Sequence, residues 1–267
     1  MIDANLQKKL REEFNPEGSK LRLLQDRALA ILLDIDKFCE KHNIQYWIAS
    51  GTLLGAVRHG GFIPWDDDLD IEMTEEEFRK FEAAVQKYGF ESKLNLVLQT
   101  HKTDPMYFVM HAKVRNEDWP IKDIFGMDNG FKYKGVFIDI FHLRRSSYAL
   151  NKFFSYSGKV FDKLCLLPTM CGLRTVVLKT YNFFINEIFI SSIAKIADKC
   201  CTNYYEWMGS RWKPSPRKPN ELFPLKKIQF EGHLFWAPAN PDAYLTHMYG
   251  NYNELPNLDK LEKHTAL

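Results

Sequence analysis

The sequence predicts an α/β fold of the α+β kind: a mixed β-sheet flanked by helices, with a helical annex. Three observations carry this. Between residues 21 and 147, stretches with helical apolar spacing alternate with short runs of β-branched and aromatic residues. From about Tyr148 to Met208 the texture turns helical and apolar. Beyond residue 210, alternating apolar residues return on both sides of a Glu231-Gly232 turn.

Each element follows in order. Residues 1–20 are polar and interrupted by Pro and Gly, so a loosely ordered lead-in is expected. Leu21, Leu24, Ala28, Ile31, Ile35 and Phe38 step by three and four, which marks an amphipathic helix ending near His42-Asn43. Ile44 to Ala49 is a predicted strand, and Gly51 to Val57 a short helix opened by a glycine. A loop with Gly60, Gly61 and Pro64 leads to a short strand, Leu69 to Met73. Thr74 with Glu77 has the form of a capping box for the next helix, which Phe78, Phe81 and Val85 continue. Further strands are expected at Leu94–Leu98, Tyr107–Val114 and Val136–Phe141. The units are therefore a lead-in at 1–20, a core at 21–147, a helical annex at 148–210, and a hairpin and tail at 211–267 that pack on the core. The tail holds a hairpin through Ile228, Phe230, Leu234 and Trp236, then a short helix from Pro241 to Met248.

Composition narrows the function. With 45% hydrophobic and 26% charged residues, the chain can bury a core. A net charge of +2 lacks the basic field of a nucleic-acid binder. The first twenty residues contain no apolar stretch of signal-peptide type. Five cysteines, without zinc-like spacing, read as reduced thiols of a cytosolic protein. Pro168, Gly172, Arg174, Lys179, Glu187 and Lys195 break the apolar region, leaving no uncharged run of ~18 residues, so buried helices are expected rather than a membrane span. The interleaved aromatic and basic residues leave peripheral contact with a bilayer open.

The chemistry concentrates between Ser50 and Met73. Asp68 and Asp70 are two apart, so on a strand they project from one face. Two adjacent carboxylates repel, and a divalent cation supplies the missing charge. Magnesium suits this because it takes few carboxylates and fills its other positions with water and phosphate oxygens. Asp66 and Asp67 add negative charge beside them. Asp139 is the single charge in the apolar run Val136 to Phe141. It is either tied to backbone amides or to Arg144 or Arg145, or it lies beside Asp68 and Asp70 and completes a three-carboxylate site able to orient and deprotonate a hydroxyl. Ser50, Gly51 and Thr52 open a helix whose free N–H groups can receive phosphate oxygens, although Gly51 and Gly55 equally suit tight helix–strand packing. Arg58, Lys113 and Arg115 are candidate diphosphate clamps. His59 is either a loop hydrogen-bond donor or a catalytic group.

These residues together resemble the LicD family, a branch of the nucleotidyltransferase-fold superfamily related to the fukutin-type phosphotransferases. The resemblance is carried by Tyr46-Trp47, by Ser50 to His59 and by Gly61 to Ile71. Lys113-Val114-Arg115, Gly135 to Phe141, Phe230-Glu231-Gly232, Tyr249 to Tyr252 and His264 extend it over most of residues 21–264. It implies a nucleotidyltransferase-like sheet and a phosphotransferase. The implied reaction moves phosphocholine from CDP-choline to a hydroxyl of a glycan (a teichoic acid, surface polysaccharide or lipid-linked precursor) and releases CMP. Asp68, Asp70 and Asp139 would be catalytic and, with Asp66, would hold Mg2+ or Mn2+. Tyr46, Trp47, Trp65 and His264 are the implied substrate contacts, with aromatic faces suited to a choline cation. Transfer of ribitol or glycerol phosphate, nucleotidyl transfer, and a non-catalytic glycan-binding module are the alternatives.

Overall fold

The computed structural model describes residues 2–107, 109–123, 128, 130–146, 204–206, 217–258, 261 and 265–266, with isolated positions between 152 and 196. Its helices are α1 (Ala4–Phe14), α2 (Lys20–Lys41), α3 (Ser50–His59), α4 (Glu75–Tyr88), α5 (Pro219–Leu222) and α6 (Pro241–Tyr249). The strands are β1 (Trp47–Ile48), β2 (Asp70–Thr74), β3 (Leu96–Gln99), β4 (Ala112–Pro120), β5 (Lys122–Asp123), β6 (Gly135–Ser146), β7 (Tyr204–Glu206), β8 (Lys226–Phe230), β9 (His233–Ala237) and β10 (Thr265–Ala266). The helical annex expected at 148–210 lies almost wholly outside the described residues, as does His264. Within it, Tyr204–Glu206 is a strand rather than helix, pairing with the end of β6. No helix among the described residues is long and apolar enough to cross a membrane.

The main sheet runs β1–β2–β6–β4–β3 and is mixed, as the sequence predicts. Its β2–β6 pair is parallel, whereas β1–β2, β6–β4 and β4–β3 are antiparallel. Strand alternation divides the sheet into two faces. Ile71, Ile138, Ile140 and Val114 are buried on one face, where α2 lies against β6 and β4. Helix α2 starts where the Ser19 hydroxyl accepts from the Arg22 N–H at 3.1 Å. Its buried stripe of Leu24, Ala28, Ile31, Leu32, Ile35 and Phe38 contributes about 1.5–3 kcal/mol for each large side chain removed from water.

The box predicted at α4 closes on one side only. Thr74 caps through its hydroxyl, which accepts from the Glu77 N–H. The Glu77 carboxylate instead accepts from the Gln45 N–H at 2.8 Å, tying the helix to the loop before β1.

The lead-in expectation is corrected: Ala4–Phe14 is a helix, capped by Asp3, whose carboxylate accepts from the Asn5 and Leu6 N–H groups. Tertiary contacts hold it, with Arg11 on Glu231 at 3.1 Å and Phe14 edge-on to Trp65. Strand β4 also begins later than expected, because the chain from Thr100 to Tyr107 folds into turns around Asp104. The predicted tail hairpin is present as β8 and β9, turning through positive φ at Glu231 and Gly232.

Candidate active site

Register builds the site on the face of the sheet opposite α2. Asp70 on β2 is paired with Asp139 on the parallel strand β6, and Asp139 is paired in turn with Lys113 on β4. Paired residues on neighbouring strands point the same way, so these three side chains emerge side by side. Asp68 lies two residues before Asp70. Each of Asp68, Asp70 and Asp139 offers an oxygen, and these oxygens all lie within 4.8 Å of one another. Asp139 is bonded to neither Arg144 nor Arg145. Lys113 is ion-paired to its Oδ1, and His111 Nε2 stands 3.3 Å from Oδ2. Arg144 serves Glu75.

The acids fall into two electrostatic kinds. Burial, then Asp68 and its neighbours, push the Asp66 and Asp70 carboxyls well above the usual carboxylate range. Burial would do the same to Asp139, but Lys113 and His111 outweigh it and hold the group below that range. The Lys113 ammonium is lowered by burial, against the pull of Asp139. A group of hard carboxylate oxygens with surplus negative charge is the donor set that magnesium or manganese takes, so the residues fit such an ion. Asp66 belongs to a second group, with Asp67 and Asp68, whose oxygens also lie within 4.8 Å of one another.

The loop and helix before β2 are stitched to this cluster. The Asp70 N–H donates to the Thr52 hydroxyl at 2.7 Å, which ties the first turn of α3 to the first residue of β2. A Cβ at Gly51 would fall 2.9 Å from the Asp66 carboxylate, and one at Gly55 2.4 Å from the Gly61 carbonyl, so both glycines permit close approach. Ser50 stands at positive φ, and its N–H donates to the Tyr244 hydroxyl at 3.4 Å. Gln25, a polar residue on the buried stripe of α2, donates to the Asp66 carbonyl at 2.7 Å and fixes the acidic loop from behind.

Several predicted contacts take other roles. Tyr46 and Trp47 are fully buried, the first donating to Asp36 at 2.6 Å and the second to Glu72 at 2.9 Å. They belong to the core, which corrects their assignment to substrate, because burial of the strand around them leaves no ligand access. Trp65 is half-buried, against Phe14 and His59. Arg58 is buried and donates to the carbonyls of Tyr252 and Glu254 at 2.9 and 3.1 Å, so it anchors the C-terminal tail instead of clamping a diphosphate. Arg115 is likewise committed to Gln99 and to the Gly135 carbonyl. Thr52 spends its hydroxyl on Asp70. His59, the last residue of α3 and not a loop residue, is committed to hydrogen bonds: its ring binds Gln7 at 2.6 Å and accepts from Arg58, and burial with Arg58 and Arg11 lowers its pKa to about 3.

The sequence reading passed over His111 and gave no role to Tyr249. A signal existed for the first: His111, Lys113 and Arg115 recur at the strand period, which puts them on one face. Tyr249, at the end of α6, is 44% exposed, and burial of its hydroxyl together with Asp70 raises its pKa.

Mixed sheet, paired acids on its parallel strands and a short helix carrying Gly51 before them are consistent with a nucleotidyltransferase-like fold. Residues 43–169 match the family model described as LicD/FKTN/FKRP, nucleotidyltransferase domain. The chain is 26% identical over 259 residues to the lipopolysaccharide cholinephosphotransferase LicD of Haemophilus influenzae, covering 90% of this chain and 95% of that protein. It is 40% identical over 84 residues to an uncharacterized protein of Rickettsia typhi, 29% of this chain and 27% of that one. A 32-residue stretch is 53% identical to the human ribitol 5-phosphate transferase FKRP, covering 12% of this chain and 6% of that protein.

Proposed function

We propose that this chain transfers phosphocholine from CDP-choline to a hydroxyl of a glycan. It is a phosphotransferase, and its likeness to a lipopolysaccharide cholinephosphotransferase over most of both chains supports choline as the alcohol. The acceptor oxygen bonds to the phosphorus that carries choline, the bond from that phosphorus to the CMP oxygen breaks, and the hydroxyl proton leaves to base. The observation that carries this reading is the convergence of Asp70 and Asp139, on two parallel strands, with Asp68 from the loop just before β2.

Asp68, Asp70 and Asp139 would hold magnesium or manganese, which when bound neutralises charge on the diphosphate and at the reacting phosphorus. Asp139, kept ionised by Lys113 and His111, is suited to holding a cation and poorly suited to taking a proton. Thr52 and Gly51 keep the acidic strand and loop at a fixed distance from α3, so the carboxylates are preorganised before substrate arrives. The short match to a ribitol 5-phosphate transferase favours one second reading, the same chemistry with another CDP-alcohol.

The test is incubation with CDP-choline labelled separately on choline and on cytidine, plus a lipopolysaccharide-derived glycan. The choline label moves to the glycan and labelled CMP is released. Transfer of the cytidine label would make the enzyme a nucleotidyltransferase. No transfer from CDP-choline, CDP-ribitol or CDP-glycerol would leave a binding module.

A further inference from the structure

The cluster contains a residue that touches no proposed substrate atom yet governs one of the acids. We propose that His111 is a positioning residue for the cation site, holding Asp139 by Oδ2 while Lys113 holds Oδ1. This rests on the reading of Asp68, Asp70 and Asp139 as cation ligands.

The need for such a residue is physical. The β6 backbone sets where the Asp139 Cβ lies, but the carboxylate can still rotate, and a ligand oxygen that turns away weakens the site. Carboxylate ligands are commonly oriented by a hydrogen bond from outside the ligand set. Each carboxylate oxygen has about two acceptor directions, so one contact to Lys113 and one to His111 leave a direction on each oxygen for an ion.

His111 is itself well fixed. Its ring packs on Phe141, two residues along β6 from Asp139 on the same face, with centroids 4.8 Å apart. Its carbonyl accepts from the hydroxyl of the buried Tyr107 at 2.8 Å. Its side chain retains 15% of its exposure, so the ring sits at the wall of the site and not in bulk water. Lys113, also near-buried, packs over the Phe137 ring at 3.5 Å, on the other side of Asp139 along the same strand. Phe137 and Phe141 thus bracket Asp139 and seat the two residues that grip it.

The two grips differ in kind. Lys113 supplies charge: three carboxylates less one ammonium leave a surplus of two negative charges, the amount that one divalent ion balances. His111 supplies direction: its Nε2 stands 3.3 Å from Oδ2, in contact though outside hydrogen-bond alignment, and its removal should alter the geometry of Asp139 while leaving Lys113 in place.

The experiment measures Mn2+ affinity by electron paramagnetic resonance on the full chain, for the wild type, His111→Phe and His111→Gln. Phenylalanine keeps a flat ring on Phe141 but donates nothing; glutamine restores a donor. The expected result is a loss of about 10- to 100-fold in affinity for His111→Phe, with His111→Gln near wild type. Equal affinities for Phe and wild type, or equal losses for Phe and Gln with unchanged circular dichroism, would overturn the positioning role. If wild type binds no Mn2+, the cation reading itself fails, and this inference with it. Wild-type binding with normal phosphocholine transfer and no effect of His111→Phe would sink this inference alone.

Discussion

Asp70 and Glu72 lie two residues apart on β2 and share a face of the sheet, yet the fold treats them in opposite ways. Glu72 is buried and fully supplied: Trp47 donates to Oε2 at 2.9 Å, while the Tyr244 hydroxyl and Arg217 serve Oε1. It joins β1, β2, α6 and the Arg217 segment. Asp70 is set against Asp68, Asp139 and Asp66, and burial, together with that surplus charge, raises its carboxyl pKa. An acid that the protein partners completely serves the fold. One packed among its own kind leaves a debt of charge for a ligand to settle.

The largest expected effect lies on the fold side. Glu72→Ala removes the partner of a buried arginine and should cost about 3–5 kcal/mol in urea unfolding. A loss under 1 kcal/mol would mean that Glu72 is not the structural acid.

Asp70→Asn should do the reverse. Turnover should fall by at least about 100-fold, or ~2.7 kcal/mol in the barrier. Without divalent ions the variant should be more stable than wild type, because a repulsion between carboxylates ~4 Å apart, about 1 kcal/mol even in water, disappears. Native Asp70 binds its proton more tightly than the unfolded chain does, so the wild type loses stability as pH rises above 3.8 through the raised native value. The difference between variant and wild type should therefore grow with pH. Thermal unfolding of both proteins across pH checks the sign.

Adding Mg2+ at about 100 times its Kd should stabilise wild type by ~2.7 kcal/mol. For a chain of this size that is a rise of about 5–10 °C in Tm. Asp70→Asn should lose most of that rise, whereas a Glu72 variant that still folds should keep it.

The smallest effect comes from Glu75, a second structural acid. Burial would raise its carboxyl, but His142 at 2.7 Å and Arg144 at 3.1 Å prevail and lower it. Its contribution is complete above the ordinary value of 4.5 and is lost as pH falls below it. Glu75→Gln should cost about 1–2 kcal/mol at neutral pH and flatten the acid limb of the stability curve.

Much of the architecture was legible in local pattern. The α2 stripe, the Thr74 cap, the β2 and β6 strands and the Glu231-Gly232 hairpin depend on residues near one another, where spacing and turn chemistry suffice. Helix α1 was not, because its support comes from Glu231, Gln7's partner His59, and Trp65, all far along the chain. The fates of Arg58 and Arg115 were hidden for the same reason: a guanidinium suited to phosphate is equally suited to buried carbonyls.

The sequence by itself set Asp68 two residues ahead of Asp70, close enough for their carboxylates to meet, although the strand proper starts only at Asp70. It also marked Asp139 as an isolated charge in an apolar strand. Tertiary structure decided that the parallel pairing of β2 with β6 sets Asp139 opposite Asp70, and that Lys113 on β4 and His111 just before it stand beside it. Register between strands separated by sixty residues depends on how whole faces bury together, and no local run of amino acids encodes that.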